Sequence, residues 1–271
     1  MPELPEVETT RRGIAPVLEG ARIRELVVRE RRLRWPVPRG LEKRLRQQEI
    51  TALRRRAKYL LLETTVGTAL LHLGMSGSIR IVDPKSAPEK HDHFDIVTTQ
   101  GDAVRFNDPR RFGSLLWGGA DPTKHPLLAK LGPEPLDAGF TAEYLHASSR
   151  GRRVSIKQHI MNSHCVVGVG NIYASEALFH AGINPTRAAG RLSLARMHRL
   201  VNEIQKVLNS AIKQGGTTLR DYRNGNGKPG YFHQQLAVYE LEGTACKICT
   251  TPIRRRVQGQ RATYYCPDCQ T

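Results

Sequence analysis

Two Cys-x-x-Cys pairs, Cys246-Lys247-Ile248-Cys249 and Cys266-Pro267-Asp268-Cys269, stand 16 residues apart at the end of the chain. No other feature restricts the fold as much. Each pair makes a tight turn that sets two thiolates on one ion, and four thiolates close a tetrahedral structural site, so the spacing implies one structural Zn2+. Two disulfides or a redox pair would use the same residues, but a chain held in a reducing compartment favours zinc. A segment this short has too little core to hold itself together, so the metal supplies its folding energy. Between the pairs we expect a β-hairpin, with Arg254-Arg255-Arg256 on one strand and Gln260-Arg261-Ala262-Thr263-Tyr264-Tyr265 on the other. The fifth cysteine, Cys165, adjoins Val166-Val167 and reads as a small buried residue rather than a nucleophile.

Lys and Arg total 42 against 25 acidic residues, a formal net charge of +17 over 271 residues. Such an excess points to a polyanion, nucleic acid before membrane, although a merely basic enzyme would also show it. No apolar run approaches the roughly 18 residues of a membrane span, and Pro2-Glu3 is wrong for a signal peptide. The expected setting is therefore the cytoplasm, and nothing in the pattern asks for more than a monomer.

From Ala21 to Trp117 the pattern is mostly strand. Leu26–Val28, Tyr59–Leu62, Ala69–Leu73, Ile79–Val82, Phe94–Val97 and Leu115–Trp117 are short apolar or alternating runs, punctuated by Gly67, Gly74, Gly77, Asp83-Pro84 and Gly101-Asp102. Such spacing predicts an antiparallel sandwich, with helices near Val7–Leu18 and Leu41–Gln48. The Pro/Gly-rich stretch from Gly118 to Leu136 breaks the pattern. A helix is predicted from Thr141. Another is marked by Leu194, Met197, Leu200, Val201, Ile204, Val207, Leu208 and Ile212, stopping at Gly215-Gly216. The fold class is α+β: an N-terminal antiparallel β-sandwich flanked by helices, a helical domain, and a C-terminal zinc-ribbon hairpin.

The first residues, Met1-Pro2-Glu3-Leu4-Pro5-Glu6-Val7-Glu8, carry the clearest chemistry. Once Met1 is removed, the Pro2 nitrogen is a free secondary amine. With an α-amino pKa near ~8, part of it is uncharged at neutral pH and can attack a carbonyl-like carbon. A carboxylate beside it, Glu3, can move a proton in the same step. An exposed, capped helix start explains these residues as well, with Pro5 and the acidic residues in the first turn. Elsewhere, Arg54-Arg55-Arg56-Ala57-Lys58-Tyr59 also reads as a solvated basic edge, and His91 with His93 lacks a third metal ligand nearby. The glycines of Val166-Val167-Gly168-Val169-Gly170-Asn171 can place backbone N–H groups on a phosphate or simply make a turn.

The strings taken whole distinguish these readings. MPELPEVETTRRG, RRAKYL, HLGMSG, DPRRFG, VVGVGNIYASE, GKPGYF and QRATYYC resemble the formamidopyrimidine-DNA glycosylase family from Pro2 to Cys269, nearly the whole chain. The resemblance implies Pro2 as nucleophile and Glu3 as acid, with Lys58 assisting β-elimination and Arg261 acting as acid for a second elimination. It implies that Met75, Arg110 and Phe112 fill the gap left by a flipped nucleotide, and that His91, Arg152, Lys157 and Asn171 meet the DNA backbone. VVGVGNIYASE corresponds to the family's helix–two-turn–helix. Asn162 stands where the family is usually acidic. Arg220 stands where lysine is common, and Arg223-Asn224-Gly225 departs from the family loop over the extruded base.

The expected organisation is a catalytic sandwich over 1–131, a helix–two-turn–helix domain with the lesion loop over 132–235, and a four-cysteine zinc finger over 236–271. The implied activity is that of a DNA glycosylase and abasic-site lyase, removing oxidised purines from damaged double-stranded DNA in base-excision repair and cutting by β,δ-elimination. The implied setting is the bacterial nucleoid. Two alternatives stay open from the residues: an endonuclease VIII-like glycosylase for oxidised pyrimidines, and a zinc-dependent nucleic-acid-binding protein without catalysis. Leu4, where that relative usually has glycine, favours the purine branch.

Overall fold

The computed structural model describes residues 2–217 and 235–271. They form two compact units: one runs to Ala129 and resumes at Ile212, and the other holds Lys130–Ala211 and the C-terminal residues to Thr271. The fold is α+β, with antiparallel sheets, a helical region and a terminal hairpin.

In the first unit, helix α1 (Leu4–Leu18) starts from a reciprocal cap. The Glu3 side chain accepts the N–H at Glu6, and the Glu6 carboxylate accepts the Glu3 N–H at 2.7 Å. Pro5, in the first turn, needs no N–H partner there. Eight strands and one short helix follow: β1 (Ile23–Val28), α2 (Leu41–Leu45), β2 (Ile50–Arg56), β3 (Tyr59–Thr64), β4 (Gly67–His72), β5 (Ser78–Val82), β6 (Asp92–Thr98), β7 (Ala103–Asn107) and β8 (Ser114–Gly119). They pair into two four-stranded antiparallel sheets, β1-β6-β7-β5 and β2-β3-β4-β8. Leu53, Leu60, Leu62 and Leu71 of one sheet share a buried core with Phe94, Ile96, Val104 and Phe106 of the other, and Ile14 and Leu18 of α1 join it.

Two strands lie outside the apolar runs. β2 ends in three arginines, and β7 carries Arg105, which is 1% exposed and donates twice to the Asp95 carboxylate at 2.9 Å. An ion pair thus buries a residue whose charge hides the strand. The helix expected to reach Gln48 ends at Leu45, because Gln47 turns to φ +63 and its N–H goes to the Ile23 carbonyl at 2.7 Å.

In the second unit, Thr141 caps α3 (Ala142–Ser149), accepting the Tyr144 N–H at 3.1 Å, and Ser155 caps α4 (Ile156–Ile160). Helix α5 (Asn171–His180) starts directly after Gly170, and α6 (Leu194–Lys213) stops ahead of Gly215 and Gly216, both at positive φ. Strands β9 (Arg254–Gln258) and β10 (Arg261–Tyr265) make the hairpin between the cysteine pairs. No described helix is long and apolar enough to cross a membrane. Arg220 and Arg223-Asn224-Gly225 lie outside the described residues.

Candidate active site and nucleic-acid interface

Pro2 and Glu3 are both buried at the head of α1, and Glu3 is 3% exposed. Glu6, 2% exposed, fixes this turn from behind. One of its oxygens takes the Glu3 N–H, and the other takes the Thr217 N–H at 2.7 Å. Gly216 must be glycine here: its φ is +85, and a Cβ would lie 2.9 Å from Glu6 Oε1. A nucleophilic amine at Pro2 would thus be held by a rigid turn beside a buried carboxyl group. The sequence reading missed Glu6 as a clamp, since its partner is far along the chain.

One end of the β2-β3-β4-β8 sheet gathers the next group. Lys58 sits in the two-residue turn between β2 and β3, after Ala57 at φ +55. Tyr59 pairs in register with His72, their rings 4.7 Å apart, and His72 pairs with Ser114. The His72 Nδ1 accepts the Gly74 N–H at 3.0 Å. Burial, then the charges of Lys58 and Arg34, lower its pKa to about 4, so the ring is neutral at physiological pH.

The two turns at this end pack backbone to backbone: a Cβ on Gly74 would come within 2.4 Å of the Phe112 carbonyl carbon. Buried Asp108 ties them together, taking the Ser76 hydroxyl at 2.6 Å, the Arg110 N–H at 3.2 Å and the Gly113 N–H at 2.7 Å. Met75 and Phe112 stay 40% exposed, and the Arg110 guanidinium lies 4.7 Å over the Phe112 ring. The structure therefore brings Met75, Arg110 and Phe112 together on paired turns. An exposed Met beside an exposed Phe argues against a core role for either. His91 is half-buried, at φ +74 just before β6, while His93 is buried on the Asp108 carbonyl at 2.7 Å. Among the described residues, only the four cysteines form a group of three or more potential metal ligands.

In the second unit, Lys157 is 1% exposed, and its ammonium donates to Asn171 Oδ1 at 2.7 Å, the Ala262 carbonyl at 2.9 Å and Thr263 Oγ1 at 2.8 Å. It lies behind Asn171 rather than at the surface, and it links α4 and α5 to β10. The half-buried Asn171 also meets the Tyr239 hydroxyl at 3.4 Å. Glu176, 1% exposed, takes three successive N–H groups, from Ala237, Val238 and Tyr239, at 2.8 to 3.0 Å. Neither Tyr239 nor Glu176 was singled out from the sequence. Arg152 and Arg261 are exposed. Asn162 accepts the His164 N–H through its own side chain, a turn that an aspartate makes as well. Cys165 is buried, 3.3 Å from His159 Nε2, and burial pushes its thiol up, away from nucleophile chemistry.

The four cysteine sulfurs lie within 4.8 Å of one another, with Cys246–Cys269 at 3.9 Å and Cys249–Cys266 at 3.4 Å. A tetrahedron with Zn–S near ~2.3 Å has edges of about 3.8 Å, whereas a disulfide needs about 2.05 Å. The Ile248 and Cys269 N–H groups point at Cys246 Sγ and Cys266 Sγ, both at 3.4 Å, as thiolates require. Hydrogen bonds from Thr251 draw Cys249 down to about 6, while burial pushes Cys266 and Cys269 up, so a bound cation is what would hold all four as thiolates. The donor set fits one structural zinc.

Fold and site define an α+β protein that joins an antiparallel sandwich and a helical region to a four-cysteine, zinc-ribbon hairpin. The family profile described as the formamidopyrimidine-DNA glycosylase N-terminal domain matches residues 1–115, and that of the H2TH domain of the same enzyme matches residues 131–223. Full-length relatives named formamidopyrimidine-DNA glycosylase include those of Thioalkalivibrio sulfidiphilus, 59% identical, and Methylococcus capsulatus, 57% identical, each covering 100% of both chains. Among solved structures, the MutM (Fpg) protein of Thermus thermophilus is 37% identical with a TM-score of 0.89, over 99% of this chain and 98% of that one. A complex of Lactococcus lactis Fpg with abasic-site DNA is 31% identical with a TM-score of 0.92, over 100% of both. The chain belongs to the formamidopyrimidine-DNA glycosylase family.

Proposed function

We propose that the chain excises oxidised purines, such as 8-oxoguanine and formamidopyrimidines, from duplex DNA with its own N-terminal amine, and then nicks the abasic site. As a family member it is a DNA glycosylase with abasic-site lyase activity, working in base-excision repair. The observation that carries the chemistry is the buried Pro2-Glu3 turn, pinned by Glu6. Damaged duplex DNA as partner is supported by the Lactococcus lactis relative, whose structures hold abasic-site DNA and Fapy-dG DNA. All the named relatives carry the purine branch's name, which disfavours the pyrimidine alternative.

In this reading Met75, Arg110 and Phe112 occupy the space left as the damaged nucleotide turns out of the helix. The Pro2 nitrogen, freed of Met1, attacks C1′ of the sugar. The N–C1′ bond forms as the bond from C1′ to the damaged base breaks, and the base leaves with the amine's proton; the C1′–O4′ bond then opens as Glu3 supplies a proton to O4′. The resulting iminium acidifies the C2′ protons. Loss of one, with Lys58 assisting, expels the 3′ phosphate, and a second elimination, with Arg261 as acid, expels the 5′ phosphate. Hydrolysis frees Pro2 and leaves a one-nucleotide gap with phosphate ends. His91, Arg152 and Asn171 hold the backbone, and Lys157 acts with Asn171. Zinc, when bound by Cys246, Cys249, Cys266 and Cys269, supplies folding energy to the hairpin and offers no open coordination position. Segments 1–131, 132–235 and 236–271 serve as catalytic, DNA-binding and zinc-finger parts of a monomer working in the cytoplasm on the chromosome.

Borohydride trapping on a duplex with one 8-oxoguanine opposite cytosine tests this. A covalent adduct mapped to Pro2 is expected. An adduct formed only on a thymine-glycol duplex would move the chain to pyrimidine lesions. No adduct from protein whose mass shows Met1 removed would make a binding protein without catalysis the better account.

A further inference from the structure

The end of the β2-β3-β4-β8 sheet continues beyond its last strand. The Arg34 N–H donates to the Gly113 carbonyl at 3.1 Å, which fastens Arg34 beside the start of β8. Across this end run Arg34 on Gly113, then Ser114, its partner His72, and Tyr59, which follows Lys58. Met75, Arg110 and Phe112 stand on the same two turns. Arg34 itself is exposed, and its guanidinium carbon lies 4.8 Å from the centre of the Trp35 ring. Its neighbours are committed elsewhere: Arg31 to Glu42, Arg32 and Arg111 to Glu30. Among the described residues, no carboxylate lies within ion-pair distance of Arg34.

We infer that Arg34 is a further DNA-binding residue, gripping a backbone phosphodiester at the outer edge of this sheet end, past the wedge formed by Met75 and Phe112. The inference rests on the proposed function for its ligand, duplex DNA. A guanidinium matches two phosphate oxygens with parallel N–H donors, as a lysine does not. Its charge also reaches His72 and Tyr59, and Lys58 acts on the same His72. Rigid anchorage matters, because a tethered arginine loses less freedom on binding than one on a flexible loop.

Affinity for a duplex carrying a tetrahydrofuran abasic analogue, which cannot undergo the chemistry, is measured between 50 and 200 mM KCl. Each lost phosphate contact removes about 0.9 from the slope of log affinity against log salt. R34Q should show a slope shallower by about that amount, so that its deficit against the unaltered protein shrinks about threefold over this range. R34M, which keeps the stem over Trp35, should match R34Q, and R34K should restore most of the slope. Unaltered melting midpoints establish that the variants are folded. A slope for R34Q and R34M equal to that of the unaltered protein would overturn the contact. A loss confined to one opposite base, without a change of slope, would overturn it in favour of base recognition. The glycosylase reading is judged separately, by preference for the tetrahydrofuran duplex over an unmodified one. Absence of that preference beside a shallower R34Q slope would remove the reading and leave the contact standing.

Discussion

The Glu6 carboxylate accepts the backbone N–H of Thr217 at 2.7 Å, across 211 residues of chain. Its second oxygen accepts the Glu3 N–H at the same distance, so a single buried side chain serves two donors, one on each oxygen. Glutamine has only one acceptor oxygen and must turn an NH2 group toward one of those donors. Glu6→Gln should therefore cost about 1–3 kcal/mol, the penalty of one buried donor left unmade. It should also reduce borohydride trapping, because the Pro2-Glu3 turn loses its support. Urea denaturation and trapping yield check this, and an unaltered midpoint with full trapping would show that the clamp is incidental.

Glu8 holds three arginines, and its charge makes stability depend on pH. Burial alone would raise its pKa. Hydrogen bonds from Arg11 and Arg12, with the charges of Arg11 and Arg55, outweigh burial and bring it from 4.5 to about 2. Its folded pKa is depressed, so its contribution is complete above the unfolded pKa and is lost as pH falls from 4.5 toward 2. A shift of that size corresponds to roughly 3 kcal/mol before screening. Arg12 is 59% exposed, so solvent screening leaves about 1–2 kcal/mol of it. Glu8→Gln should lower stability by about that amount at pH 7, and the difference should close below pH 3. Denaturation at pH 7, 4 and 2.5 reads it directly; a difference constant with pH would mean that the arginine pairs contribute nothing through charge.

The sequence showed what depends on near neighbours. Pro5 and Glu6 mark the head of α1, Thr141 caps α3, Gly215 and Gly216 end α6, and the cysteine spacing announces the hairpin. It hid what depends on distant partners. β7 escaped because Arg105 interrupts its apolar run, and only the fold supplies Asp95 to neutralise it. Asp108 looked like part of a turn, yet it joins the Met75 turn to the Arg110 turn through Ser76 and Gly113. Glu176 lay inside a recognised motif, but its three backbone partners lie more than 60 residues onward. Long-range carboxylate clamps leave no local pattern to read.

Lys157 is the sharpest case, for the string resembles a surface DNA contact and the structure buries the ammonium on three acceptors. Lys157→Met keeps the stem but leaves Asn171 Oδ1, Thr263 Oγ1 and the Ala262 carbonyl without that donor. We expect a loss of about 1–3 kcal/mol of stability. DNA affinity should fall because Asn171 is released, with little change in the salt slope, since an ammonium this buried displaces few counterions. A slope shallower by about 0.9 would instead assign Lys157 a direct phosphate contact.

Metal removal tests the hairpin. Around it, Cys246, Cys266, Ile253, Val238, Ala237 and Phe179 form a small cluster, two of whose six members are themselves the proposed ligands. Without an ion, four sulfurs lie within 4.8 Å of one another with nothing to bridge them, and the cluster that remains is too small to fold the segment. Elemental analysis should give one zinc per chain. A strong chelator should then release it with loss of amide protection first along β9 and β10, while α1 and the two four-stranded sheets stay protected. DNA affinity should fall in step, since Arg261 opens β10 and loses its fixed position. Zinc restored in reducing buffer should recover both. If β9 and β10 keep their protection after the metal is gone, the apolar cluster is sufficient and the ion is not what folds this end of the chain.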